Sequence, residues 1–350
     1  MSGVARPPRR PSIKDVAALA QVSSKTVSNV LHGQIFVAEP TRARVLRAID
    51  ELDYRPDLNA RSLRSGRSGI LAVAVPNLEV PFFAELTSQI VTAARVQGYT
   101  VLIDETSGVR DREVDLLTGI APRLADGVIF SPQGIGRSQL SSLLSSSARG
   151  PVVLLGEHIL GLPVDHVLID NVAAGADATA CLLSLGRRRI AAIGLPPGYD
   201  DEQEHAALRL SGYRSALEAA GLPYDPSLVV AAGARRSSDG SAAMAGLLAS
   251  SSPPDAVFCF TDLLALGAVR AVYEAGLRVP EDVAVVGFDN IAQTQISVPT
   301  ISTIAPDKAA IASAAVDLIV RRLAGSMADP QVVQVRHDLI VRESTAGRSR

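Results

Sequence analysis

Ser12-Ile13-Lys14-Asp15-Val16-Ala17-Ala18-Leu19-Ala20-Gln21-Val22-Ser23-Ser24-Lys25-Thr26-Val27-Ser28-Asn29-Val30-Leu31 is the stretch on which the fold turns. Ile13, Val16, Ala17 and Ala20 keep helical spacing, Val22 anchors a short turn, and Val27, Val30 and Leu31 form a second helical face. Around that second face stand Ser23, Ser24, Lys25, Thr26, Ser28 and Asn29. These are short hydrogen-bonding groups and one cation, the chemistry that probes base edges and phosphates at close range. The pattern predicts a helix-turn-helix, whose second helix enters the major groove with its N-terminal residues leading. A small helical hairpin with a polar outer face would carry the same pattern, so the rest of the chain has to decide.

Charge is divided in the direction this reading needs. Residues 1–68 hold 12 Lys and Arg against 6 Asp and Glu; of the chain's 34 basic and 36 acidic residues, 22 and 30 remain for the other part. A basic head on an acidic body places the polyanion-binding surface at the N-terminus. Arg6-Pro7-Pro8-Arg9-Arg10-Pro11 is charged but is followed by no apolar core, so residues 1–11 read as a disordered basic arm rather than a signal peptide. Cys181 and Cys259 are far apart and lack metal-ligand neighbours, which fits small buried hydrophobes in a reducing compartment. No apolar run reaches membrane-spanning length. The expectation is a cytoplasmic protein with no membrane partner, no metal and no cofactor.

Moving outward, Val45, Leu46, Ile49 and Leu52 predict a third helix over about Glu39–Asp53, with Pro40 tolerable only in its first turn. Pro56 ends it, Asp57 can cap a short Arg-rich helix, and Gly66 stops that one. Two turns of helix are marginal in water without a packing partner. From Gly69 onward, apolar runs of strand length alternate with helical patterns. Strands are predicted at 70–75, 100–103, 127–131, 152–155, 167–169, 190–194, 228–231, 256–260 and 283–287. Helices fall near 82–97, 110–122, 137–147, 172–186, 205–220, 238–250, 262–276 and 306–323. Such alternation argues for parallel, doubly wound sheets. A break near residue 168 suggests two sheets rather than one, with a small-molecule cleft where the carboxyl ends of their strands face each other.

The residues Ile13-Lys14-Asp15-Val16-Ala17, Val22-Ser23 and Thr26-Val27-Ser28 resemble the headpiece of the LacI/GalR transcriptional regulators. Tyr54-Arg55-Pro56 with Ala60-Arg61-Ser62-Leu63 resembles that family's hinge. Val286-Gly287-Phe288-Asp289-Asn290, Pro299-Thr300-Ile301-Ser302-Thr303-Ile304 and Val341-Arg342-Glu343-Ser344-Thr345 resemble landmarks of its effector domain. The match runs in order over residues 12–346. It implies an all-α helix-turn-helix headpiece (12–56), a hinge (57–68) and an α/β effector domain (69–346) of two doubly wound parallel-sheet subdomains, like the periplasmic sugar-binding proteins. One subdomain would hold about 69–167 and 301–329, the other about 168–300 and 330–346. Crossings would fall near 166–170, 296–305 and 328–332, with the strand around Val332–Val341 returning to the C-terminal subdomain. The resemblance also implies a homodimer on a pseudo-palindromic operator in double-stranded DNA, released or fixed by a small effector, a carbohydrate rather than a nucleobase.

Site residues follow from the same resemblance. Ser24, Lys25 and Asn29 occupy positions that face base edges; Lys donates to guanine and Asn pairs bidentately with adenine. Ser23, Thr26, Ser28 and His32 read as phosphate or positioning contacts. Leu63, flanked by Ala60 and Arg64, matches the hinge leucine that wedges into the minor groove at the operator centre. Gln21 stands where Gly is usual and Ala38 where a capping Ser is usual, each at a cost of about 1 kcal/mol. In the cleft, Phe82 offers a stacking face while Phe83 is expected to turn to the core. Asp289, just past a strand end, and Arg209, with its donor fork, are the main polar candidates. Gln203, His205, Arg235 and Asp262 complete the set, each equally consistent with a surface role.

Two other classes are weighed and set aside. An exported sugar-binding protein would have an export signal and no headpiece. An enzyme would be expected to show a Gly-x-Ser-x-Gly elbow, a phosphate-binding glycine loop or a metal-spaced cluster, and none stands out.

Overall fold

The computed structural model describes residues 11–32, 36–54, 67–119, 121–145, 150–157, 159, 161–196, 205–233 and 236–346. The chain divides into two compact units, Met1–Ser68 and Gly69–Arg350. The hinge helix expected after Asp57 lies outside the described residues.

In the first unit, α1 (Ile13–Leu19), α2 (Ser24–His32) and α3 (Glu39–Glu51) enclose a small core. Val16, Val27 and Val45 are fully buried at its centre, with Ala17, Ala20 and Ala48 around them. Asp15 starts α1 by accepting from both the backbone N and the Oγ of Ser12, at 2.7 Å each, the reciprocal half of a capping box. Gln21 sits at φ 52°, so the turn keeps a left-handed residue without the glycine that would relieve it. Ala38 leads α3 with no side-chain cap. Leu46, expected on the inner face, is 48% exposed; Val45, Ala48, Ile49 and Leu52 fill the small core without it.

The second unit contains two six-stranded sheets. In the first, β1 (Ile70–Val75), β2 (Thr100–Glu105), β3 (Gly127–Phe130), β4 (Val152–Leu155) and β5 (Asp165–Ile169) are joined by β11 (Val332–Val335) in the order β11-β5-β4-β3-β1-β2, all parallel. In the second, β6 (Ile190–Leu195), β7 (Val229–Ala231), β8 (Ala256–Cys259), β9 (Ala284–Phe288), β10 (Ser302–Pro306) and β12 (His337–Ile340) run in the order β12-β10-β9-β8-β6-β7. Only β12 runs antiparallel to its neighbour. Helix α4 (Pro81–Val96) packs on the first lobe together with the long helix Lys308–Leu323. After α5 (Arg110–Thr118), α6 (Ala121–Leu124) and α7 (Arg137–Leu144), the pair α8 (Asn171–Ser184) and α9 (His205–Ala219) packs on the second.

Two crossings differ from expectation. Residues 302–306 belong to the second sheet, because Ser302, Thr303 and Ile304 pair with Val286, Gly287 and Phe288. The second crossing therefore falls at Asp307, not near 296–305. The strand expected to be continuous over 332–341 is broken at Arg336: its first half pairs with β5 of the first sheet, its second with β10 of the other. The third crossing is thus at 336 rather than 328–332. Asp307 N donates to the Arg336 carbonyl at 3.2 Å, so these two crossings are bonded to each other.

Candidate functional site

On the headpiece, α2 presents its polar residues as its caps and packing dictate. Ser23 precedes the helix and its Oγ accepts from Thr26 N at 3.1 Å, with Thr26 Oγ1 2.9 Å away. Ser23 therefore caps the helix, with the Thr26 hydroxyl beside it, whatever else the two touch. Lys25 is exposed, and Ser24, Ser28 and Asn29 are half-buried on the same short helix whose Val27 fills the core. Nothing is described of the His32 side chain, and Ala60, Leu63 and Arg64 lie outside the described residues.

In the second unit, a cleft of about 340 Å³ opens at the carboxyl ends of both sets of strands. On one wall are Pro76 after β1, Ser131 and Gln133 after β3, and Gly156 and Glu157 after β4, with Phe82 and Phe83 from the start of α4. On the other are Thr261 after β8 and Asp289 after β9, with His205 and Arg209 from α9. Both phenylalanines line the cleft, edge to face with centroids 5.4 Å apart, so Phe83 does not turn wholly to the core as expected. Glu113, fully buried, fixes the first wall by accepting from the backbone N of Gln133, Gly134 and Ile135 at 2.7–3.0 Å.

Arg209 organises the opposite side. The two helices α8 and α9 approach closely because a Cβ at Gly175 would lie 2.3 Å from the Arg209 carbonyl oxygen, and one at Gly212 only 2.0 Å from that of Val172. That approach sets Arg209 Nε 2.8 Å from Asn171 Oδ1. Nη1 donates to the Phe260 carbonyl, and the guanidinium stacks 3.3 Å from the Phe288 ring centroid.

Glu157 and Asn171 were not anticipated from the sequence. Glu157 is 7% exposed and its Oε1 accepts from Ile169 N at 2.8 Å. Burial pushes its carboxyl above the usual range, against the Ile169 N–H, the Arg209 charge and the Asn171 amide, which pull it down. The available signal was positional: Glu157 follows a strand end, as Asp289 does.

Asp262 does not line the cleft. It is fully buried behind the wall, where Oδ2 accepts from Ile291 N at 2.9 Å and Oδ1 from Thr303 Oγ1 at 2.7 Å. Gly287 makes room for it, since a Cβ there would lie 2.2 Å from Oδ1. Burial, with Asp289 nearby, raises its carboxyl well above the ordinary range. Its work is to hold the 289–291 turn, in which Asp289 (φ 113°) and Asn290 (φ 49°) are both left-handed, a strained conformation that the surroundings must fix. The same turn is bonded to the first lobe. Glu85 of α4 accepts from Ala292 N at 3.0 Å and from Lys308 Nζ at 2.7 Å, and Lys308 also donates to the Asn290 carbonyl at 3.0 Å. Gln203 and Arg235 lie outside the described residues.

A helix-turn-helix unit followed by two α/β lobes around a cleft defines a DNA-binding regulator of the ligand-responsive kind. Residues 12–57 match the model of bacterial regulatory proteins of the lacI family, and residues 179–345 that of the periplasmic binding protein-like domain. The transcriptional regulator DegA of Bacillus subtilis is 31% identical over 96% of this chain and 98% of its own. A structure of a LacI-family regulator from Sanguibacter keddieii superposes with TM-score 0.73 at 40% identity, over 81% of this chain and all of that one. A complex of the transcriptional regulator CelR with cellobiose does so with TM-score 0.70 at 33% identity, covering 96% of this chain and all of that one. The chain belongs to the LacI family of transcriptional regulators. Among the described residues, no helix is long and apolar enough to cross a membrane.

Proposed function

We propose that this protein is a repressor, active as a homodimer on a pseudo-palindromic operator, whose operator affinity is set by a small carbohydrate bound in the cleft. The observation that carries the reading is the cleft: polar groups at strand ends on both lobes line one cleft, and the turn bearing Asp289 is bonded through Glu85 and Lys308 to α4 of the other lobe. A ligand that draws on Asp289 and on the first wall together biases how the lobes sit, and any such bias is reciprocally coupled to operator binding. Carbohydrate as the ligand class is supported by the cellobiose complex of CelR, 33% identical to this chain, and by the paired phenylalanines, whose apolar faces suit a sugar ring.

Ser24, Lys25 and Asn29 read bases, with Ser23, Thr26, Ser28 and His32 placing the helix on phosphates. Leu63, between Ala60 and Arg64, wedges the operator centre. Phe82, Phe83, His205, Arg209 and Asp289 contact the effector, joined by Gln203 and Arg235. The dimer is supported by the edge of the first sheet, where β2 leaves Leu102 and Ile103 exposed, as Val96 is at the end of α4; an apolar edge strand is a surface for pairing with another chain. Binding DNA places the protein in the cytoplasm, and the cleft groups are held for recognition rather than catalysis, so no enzymatic role is assigned.

Thermal unfolding of the full-length protein against sugars, sugar phosphates, nucleosides and nucleobases tests the ligand reading. A ligand of the folded state stabilises by about 2.7 kcal/mol at a hundredfold excess over its Kd. Sugars raising the midpoint is the expected result; nucleobases alone doing so would contradict it.

A further inference from the structure

We propose that the segment leading into α1, with Arg6, Arg9 and Arg10, is a second DNA-contacting element: a basic arm whose guanidinium groups bond backbone phosphates beside the stretch that α2 reads. The proposal rests on the headpiece binding duplex DNA and adds a site that the helix-turn-helix does not contain. The arm precedes the residues matched to the lacI-family headpiece, 12–57. Residues 1–10 lie outside the described residues and enter here by their composition alone.

Three observations carry it. The first is where the positive charge lies. A large share of the affinity of a protein for DNA comes from Lys and Arg that neutralise phosphates and release counterions. The folded headpiece has little to offer: residues 12–56 hold six basic and five acidic residues, a net of +1. Its two DNA-facing helices supply Lys14 and Lys25, both exposed, against Asp15. Residues 1–11 hold three arginines and no acid, a net of +3 in a quarter of the length.

The second is the junction. The arm enters α1 through Pro11, which is exposed, and Ser12, the N-cap. In a helix-turn-helix the first helix crosses the DNA backbone, so a segment leading into it is tethered beside phosphates. The start of α1 is not itself an anion site. Asp15 accepts there from Ser12 N and Oγ at 2.7 Å each, and its carboxylate repels a phosphate. Beyond Lys14, the cations for this end of the helix are those of the arm.

The third is residue type. All three cations are arginines, whose planar fork matches a phosphate bidentately and stays charged at any working pH. Ten residues reach at most about 35 Å, enough to pass from α1 along several phosphates.

The test measures binding of the full-length protein to a duplex it selects from a random DNA library, and to an unrelated duplex of equal length, over a series of salt concentrations. It is repeated on the triple variants Arg6→Gln/Arg9→Gln/Arg10→Gln and Arg6→Lys/Arg9→Lys/Arg10→Lys. Each cation on a phosphate contributes about 0.9 to the slope of log K against log salt. The Gln variant should lose about 2.7 of that slope per bound chain on both duplexes, while the Lys variant keeps it. At fixed salt the Gln variant should bind both duplexes at least about tenfold more weakly, with its thermal midpoint unchanged because no core residue is touched. A slope reduced by less than about 0.9 per bound chain overturns the arm and leaves DNA binding by the headpiece standing. A loss confined to the selected duplex, or one that lysine does not restore, overturns the phosphate assignment, since it reports reading of bases. If the unsubstituted protein selects and binds no duplex, the DNA-binding reading falls and the proposal with it.

Discussion

Arg209→Lys keeps the positive charge and removes the fork, so it asks whether the cleft needs a guanidinium or only a cation. Arg209 uses three properties at once: Nε to Asn171 Oδ1 at 2.8 Å, Nη1 to the Phe260 carbonyl, and a flat face 3.3 Å from the Phe288 centroid. An ammonium on a straight stem can serve one of the two acceptors. The acceptor left behind is buried, and an unsatisfied buried group costs about 1–3 kcal/mol. Losing the stacked guanidinium adds about 1 kcal/mol. The expected destabilisation is therefore about 3 kcal/mol, or a fall in Tm of about 5 °C for a unit of this size. Thermal unfolding of the ligand-free protein measures it, with Arg188→Lys, exposed and, among the described residues, bonded through its backbone N to Asp255, as the control expected within about 0.5 kcal/mol. Equal melting of the two variants would refute the claim that the fork, rather than the charge, builds this wall.

Three further outcomes are expected. Asp165→Asn should destabilise the protein by about 2–3 kcal/mol, because Asp165 accepts from Arg322 Nε and Nη2 at 2.7 and 2.8 Å and from Gln331 N at 2.8 Å, tying β5, the helix 308–323 and β11 together. Burial pushes the Asp165 carboxyl up, but the Arg322 bonds and charge with the Gln331 N–H outweigh it and hold the carboxyl below the ordinary value. Its stabilisation is therefore present above the unfolded carboxylate pKa and lost as pH falls through the depressed one, so the variant's acid unfolding limb should be flatter in a pH series of melts. Gln21→Gly should relieve the left-handed turn at φ 52° and stabilise the headpiece by about 0.5–1 kcal/mol, seen as slower amide exchange at Val27 and Val45. Ala38→Ser should supply the absent cap of α3 for about 1 kcal/mol; unchanged exchange at Val45 would contradict it.

Much of the fold was legible because it rests on local periodicity. Ile13, Val16, Ala17 and Ala20 write a helix face, and runs such as Ile70–Val75 and Val152–Leu155 stand as strands at those bounds. What was not legible depends on pairing across the chain. Nothing local assigns Ser302–Pro306 to one lobe; its register with Val286–Phe288 does. Nor does the apolar run 332–341 announce a break at Arg336, where successive halves join different sheets. At the cleft, strand-end reasoning placed Asp289 and the family resemblance placed Arg209, both of which line it, while the weaker candidate Asp262 does not. The difference is one of direction: Asp262 begins a helix and points back under the 289–291 turn into the space left by Gly287. Glu157 was hidden by its apolar neighbours in Leu154-Leu155-Gly156-Glu157-His158-Ile159-Leu160, where a single acid reads as a surface residue.

The central claim is that the cleft and the operator are energetically coupled. The most direct test is the affinity of the full-length protein for a pseudo-palindromic duplex, selected from a random DNA library, titrated with and without a saturating concentration of a sugar that binds the cleft. Coupling of about 1–3 kcal/mol predicts a change in operator Kd of about 5- to 150-fold. An operator Kd that stays constant while the cleft is fully occupied would contradict the account.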